Sequence, residues 1–81
     1  MNPKWVVNDV KALDDYKLLI IFESQEKKIF DCSPLLQYEI NRPLQNDAFF
    51  KTVFVKDGTV AWNDEIDIDP EYLYAESVLV I

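Results

Sequence analysis

Five carboxylates and three large aromatics fall within thirteen residues between Trp62 and Tyr74, in the stretch Trp-Asn-Asp-Glu-Ile-Asp-Ile-Asp-Pro-Glu-Tyr-Leu-Tyr. No other part of the chain gathers so many groups able to do chemistry. Asp64, Glu65, Asp67, Asp69 and Glu71 could offer oxygen ligands to a hard cation such as Ca²⁺ or Mg²⁺. In an extended segment, the alternation of Glu65, Asp67, Asp69 and Glu71 sets them on one face. The calcium-loop pattern is not met, because the stretch has no glycine at its turn and no closing bidentate glutamate. Crowded like charges are more simply a solvated face, with Ile66 and Ile68 turned inward. Asp69 before Pro70 reads as a helix cap, and Glu71 as a first-turn acid suited to the helix dipole. Paired carboxylates also serve acid–base hydrolysis. That chemistry needs a cleft, and a small sheet with short helices leaves little room for one.

Other catalytic groups are scarce. The chain has no histidine, so it lacks the commonest general base and metal ligand and any Ser-His or Cys-His pair. Cys32 follows Asp31, whose charge raises a thiol pKa, so it reads as a buried structural cysteine. One glycine cannot make a phosphate-binding loop. The expectation is a protein that is not an enzyme, with no catalytic residue, no metal and no cofactor. A net charge of −7 and a single arginine, Arg42, oppose direct nucleic-acid binding and anionic membranes. They favour a basic partner. The lone cysteine excludes a disulfide scaffold and fits a reducing compartment. The longest apolar run, Leu18 to Phe22, is five residues, far from the roughly 18 that span a membrane. Met-Asn-Pro-Lys-Trp at the start lacks a secretory apolar stretch. A soluble, cytoplasmic protein is the reading.

The elements that would position these groups can be read from turns and alternation. Asp57-Gly58 between apolar runs is a hairpin signal, since a type I′ turn needs positive φ at both central residues. Its strands are expected at Thr52 to Lys56 and Thr59 to Asn63, with Phe54 sharing a face with Val60 and Trp62. Trp5 to Ala12, Tyr16 to Glu23 and Lys27 to Asp31 read as three more strands, joined through Asp14-Asp15 and Ser24-Gln25-Glu26. Leu18, Ile20 and Phe22 alternate with Leu19 and Ile21, so the second strand is apolar on both faces. That pattern suits a central strand covered on both sides, one cover being a second protomer. Lys27 and Lys28 suit an edge strand. Ser33-Pro34 starts a helix expected to run from Pro34 to Ile40 and to stop before Arg42-Pro43. Leu44 to Phe50 reads as a loop or helical turn that sends Phe49 and Phe50 inward. A second short helix follows Asp69-Pro70. The apolar tail from Ser77 to Ile81 would add a strand or dock on a partner.

Most aromatics occupy strand or core positions: Trp5, Phe22, Phe30, Phe49, Phe50, Phe54 and Trp62. Tyr38, Tyr72 and Tyr74 fall on short helices, where one ring face stays open. Tyrosines beside acids make a surface suited to a basic protein partner. Asp64, Glu65, Asp67, Tyr72 and Tyr74 are the candidate partner-binding residues.

The order of these features resembles the bacterial family DUF2442, a domain of unknown function. The matching residues begin with Val6-Val7-Asn8-Asp9-Val10, Asp15-Tyr16-Lys17-Leu18 with Phe22, and Phe30-Asp31. They continue through Leu44, Phe49, Val53-Phe54-Val55, Gly58 and Trp62. The most specific part is Ile66-Asp67-Ile68-Asp69-Pro70-Glu71-Tyr72-Leu73-Tyr74. Where the family's second turn carries a glycine, this chain has Ser24-Gln25-Glu26, and Val78 to Ile81 is not mapped onto the family pattern. The resemblance implies a small α+β domain, found alone or fused to a helix-turn-helix segment for which this chain has no room. It also implies a neighbouring gene for a small protein of the DUF4160 family, an arrangement similar to toxin–antitoxin pairs. It carries no catalytic residues.

The expected fold is one α+β domain over residues 1–81. It has two layers: an antiparallel sheet of about five strands, in chain order β-β-β-α-β-β-α, with short helices on one face. The expected function is a protein-interaction module, antitoxin-like, neutralising an adjacent basic protein. The alternatives are a small-ligand or metal-binding sensor and a structural homodimer.

Overall fold

Two apolar alternations and one tight turn determine most of the architecture. The computed structural model describes residues 4–80. The readings made on the first three residues and on Ile81 lie outside the described residues. Strands β1 (Val7–Ala12), β2 (Lys17–Phe22) and β3 (Lys27–Asp31) form an antiparallel meander. A short β6 (Val78–Leu79) adds to β3, giving the sheet order β1-β2-β3-β6. A separate hairpin pairs β4 (Phe54–Lys56) with β5 (Thr59–Ala61). The α+β class and the antiparallel pairing are as expected. The strands, however, divide between two sheets.

Strand β2 supplies the centre of the core. Leu18, Ile20 and Phe22 are fully buried, while Leu19 and Ile21 are half-exposed on the opposite face. Burying three such side chains contributes roughly 1.5–3 kcal/mol each before entropic costs. Phe30 of β3, Leu44, Phe50, Val60, Trp62, Ile66, Ile68 and Leu73 complete the cluster.

A bulge in β1 was not legible from alternation. Val7 pairs with Phe22 and Asp9 with Ile21, so Asn8 is the extra residue. The bulge switches parity, turning both Val7 and Val10 towards the core. It also lets the Val7 N–H donate to the Gly58 carbonyl at 2.9 Å, which ties the hairpin to the sheet.

Asp57 and Gly58 both have positive φ, at 52° and 80°, as a type I′ turn requires. The two-residue turn sets Lys56 opposite Thr59, Val55 opposite Val60 and Phe54 opposite Ala61. Phe54 therefore shares a face with Ala61, and not with Val60 and Trp62 as expected. Directly opposed residues point the same way, and the next residue along points the other. In the turn after β2, Gln25 takes φ 77°, the conformation that a glycine would supply at no cost.

The first helical segment corrects two expectations. Pro34 to Ile40 is not one α-helix; it is a 3₁₀ turn at Ser33–Gln37, an extended Tyr38, and a second 3₁₀ segment at Glu39–Gln45. Ser33 does not cap it, and instead donates its N–H to the Asp31 side chain at 2.9 Å. The second segment runs through Pro43 because it consists of separate turns, such as Asn41 N–H to Tyr38 O and Asn46 N–H to Pro43 O. The donor that proline lacks is not needed there. Asn46 then caps α1 (Asp47–Phe50) by accepting the Phe49 N–H. Strand β3 is also not an edge as expected, because β6 hydrogen-bonds along its outer side.

The position after β5 is fixed by Trp62. Its indole N–H donates to the Phe50 carbonyl at 2.8 Å, and its ring lies 5.7 Å from that of Phe50. Trp62→Phe keeps most of the buried ring but orphans that carbonyl, so unfolding in urea should show a loss of about 1–3 kcal/mol. Gly58→Ala would meet only ordinary contact, 3.4 Å from Val6 Cγ1. It should still cost about 1 kcal/mol through the positive φ alone.

Candidate interaction surface

The acid-rich stretch is held by its own backbone and by Asn63. The Asn63 side-chain oxygen accepts the N–H groups of Glu65 and Ile66, both at 2.8 Å. The Trp62 N–H donates to Ile66 O at 2.9 Å, and the Ile68 N–H to Val60 O at 3.2 Å. A bridge between Ala61 and Asp67 makes the segment a third rung against β5. The Thr59 hydroxyl donates to the Ile68 carbonyl from the buried side. Ile66 and Ile68 are buried, and Asp64, Glu65, Asp67, Asp69 and Glu71 are exposed. The alternation read from the sequence is therefore the alternation in the structure.

Among the described residues, Asp64 alone of these acids has an ion-pair partner, with Lys56 Nζ at 2.7 Å. That hydrogen bond holds the Asp64 carboxyl below its ordinary range and raises Lys56. Both groups face water, so the pair adds little stability. Asp69 accepts the Glu71 N–H at 2.9 Å and caps α2 (Pro70–Glu76), with Pro70 as its first residue.

Tyr72 and Tyr74 leave α2 in different directions, being two residues apart on a helix. Tyr72 is 44% exposed and meets Phe30 edge-on at 6.0 Å. Tyr74 is half-buried and meets Phe22 edge-on at 5.0 Å. Its hydroxyl donates to Glu26 at 2.6 Å, and Lys28 Nζ stands 3.7 Å above its ring while donating to its carbonyl at 2.9 Å. Tyr74 thus anchors α2 to the turn after β2 and to β3. Among the described residues, no hydrogen bond or ion pair joins Asp64, Glu65 or Asp67 to either tyrosine. Lys28, Glu26 and Lys56 were missed as partners; the signal for Lys56 lay in the hairpin register, while Lys28 and Glu26 depend on where α2 docks.

Among the described residues, no pocket opens, and no group of three or more acids and cysteines is arranged to hold a metal ion. No helix there is long and apolar enough to cross a membrane. Cys32 is fully buried, and burial first, then Asp31, pushes its thiol up to about 12. The sequence pointed to Asp31, but desolvation is the larger cause.

The fold and its acid-faced segment define a small α+β domain with a bulged sheet and a docked hairpin. A family model described as "Protein of unknown function (DUF2442)" matches residues 7–78, and the chain belongs to this family. No curated protein and no solved structure matches the chain.

Two outcomes follow from these environments. The Tyr74 hydroxyl is the largest influence holding the Glu26 carboxyl below its ordinary 4.5, with Ser24 next. The same bond raises Tyr74 above its ordinary 10.0. A depressed acid stabilises above its unfolded pKa and loses that as pH falls through the folded value. A raised phenol stabilises below its unfolded pKa and loses that as pH rises through the folded value. Urea midpoints of wild type and Tyr74→Phe should therefore differ by a constant amount between pH 4.5 and 10.0, and the difference should shrink as pH falls through the lowered Glu26 value or rises through the raised Tyr74 value. Cys32 should react with an aromatic disulfide reagent near about pH 8 only in denaturant, because the native thiol is protonated and enclosed.

Proposed function

We propose that this domain is a non-catalytic protein-interaction module whose contact face includes Asp64, Glu65, Asp67 and Tyr72. The observation that carries the reading is the mounting of the acids. Ile66 and Ile68 are buried, Asn63 braces the turn, and the carboxylates project from a segment fixed to β5. Such a segment meets a partner with little further ordering, which lowers the entropic cost of association. Its charge adds to a chain with 15 acidic and 8 basic residues, so a basic partner is both steered and held. Tyr72 contributes a half-open ring beside these acids along the chain. Tyr74 is engaged in holding α2 and is not assigned to the contact. The partner in this reading is the small basic protein encoded beside family members, and the role is antitoxin-like neutralisation.

Co-expression with the product of the adjacent gene, followed by affinity capture and titration, tests this reading. The complex should weaken at least tenfold in Asp64→Asn/Glu65→Gln/Asp67→Asn, and should also weaken as salt rises. Repeated failure of the two proteins to co-purify would sink it. So would a complex indifferent to both the triple variant and salt.

A further inference from the structure

On the sheet face turned away from the core, Leu19, Ile21 and Ile29 are half-buried, so each keeps part of its apolar surface open. The side chains of this face follow from the register. Lys11, Leu19, Ile29 and Val78 form one row across the four strands. Lys17 and Asp31 stand in the row on one side. Asp9, Ile21 and Lys27 stand in the row on the other, extended by Val80, whose N–H donates to Lys27 O. Leu19, Ile21 and Ile29 belong neither to the buried core nor to the layer packed against it. Val78 is 71% exposed. Helix α2 lies on the opposite face, through Tyr72 on Phe30 and Tyr74 on Phe22.

We infer that this face packs against the same face of a second copy of the chain. Charge selects that occupant. The chain carries −7 overall, so most approaches between two copies bring acid against acid. On this face, Lys11, Lys17 and Lys27 stand with Asp9 and Asp31, so bases outnumber acids. A two-fold axis parallel to the strands, passing between β2 and β3, sets β2 of one copy over β3 of the other. Leu19 then lies over Ile29, and Lys17 over Asp31, each twice by symmetry. Lys27 lies over Ile21 and reaches Asp9 beside it. Sheets packed in this way lie about 10 Å apart with strands within about 30° of each other, which preserves these pairings. Head-to-tail docking of this face on the acidic segment would instead leave both surfaces open for further copies.

Four strands and three rows span roughly 20 by 20 Å, about 400 Å² of flat face per copy. Specific, stable complexes bury about 800 Å² per partner, and permanent ones more, so this dimer is reversible and concentration-dependent. It uses a different surface from Asp64, Glu65 and Asp67, and stands or falls independently of the proposed partner.

Sedimentation equilibrium of the full chain between about 10 μM and 1 mM tests it. The average mass should climb from 9.5 kDa towards twice that value. Ile29→Glu should weaken association at least tenfold. Val78→Glu, at an exposed position on the two-residue β6, makes the same test with little risk to folding. Lys17→Asp and Asp31→Lys should each stay monomeric alone and associate when mixed, since mixing restores both ion pairs. Melting of each variant at low concentration confirms that it is folded. A wild-type mass fixed at 9.5 kDa at about 1 mM would overturn the inference. Association unchanged in Val78→Glu, or the absence of any gain on mixing the charge variants, would also overturn it.

Discussion

The seat of Trp62 is the constraint on which the separate parts of this chain depend. The hairpin has only three residues in each strand, too few to stand alone in water. The indole fixes it to α1 through the Phe50 carbonyl, while the backbone N–H of the same residue starts the acidic segment by bonding Ile66. Phe50 passes the contact on to Tyr16, edge-on at 5.3 Å, and the Tyr16 hydroxyl reaches the Gln45 carbonyl. One aromatic chain thus joins the start of β2, the 3₁₀ region, α1 and the hairpin. The described residues contain no buried side-chain polar atom without a partner, which is what a chain with so little secondary structure per element requires.

Elements governed by local chemistry were legible in the sequence. Asp57-Gly58 dictates its turn, Asp69-Pro70 dictates the start of α2, and Leu18, Ile20 and Phe22 dictate the buried face of β2. What failed depends on partners distant along the chain. β3 looked like an edge because nothing in its own residues announces β6, more than forty residues later. The bulge at Asn8 is set by Val7 being required in the core, not by any turn signal. The region after Ser33 carries a good helix-start pair. It breaks at Tyr38 all the same, where the side chains of Leu35 and Leu36 must reach the core from a short span. The candidate acids were legible as an exposed, alternating face. Tyr74 as the anchor of α2 was not, since Glu26 and Lys28 come to it only through the docking of that helix.

Charge is unevenly distributed over the molecule. The segment after Trp62 presents five carboxylates and, among the described residues, one ion-pair partner, Lys56. The outer face of the sheet gathers lysines around an apolar row instead. Lys28 is set apart from both, on the core side, where its charge is met by a ring face and a carbonyl. The described residues therefore offer two surfaces of opposite character, each built on a different sheet.

The bulge at Asn8 has a further consequence for how the sheet ends. An outer strand displays unpaired N–H and C=O groups that invite strands from other molecules, and such invitations lead to fibrous aggregates. At the start of β1 this template is spoiled. The strand bends, and the Val7 N–H that would have faced outward is taken by the hairpin turn at Gly58. At the other margin, β6 has just two residues, too short to guide a long ladder. Runaway strand addition is thereby discouraged at both margins.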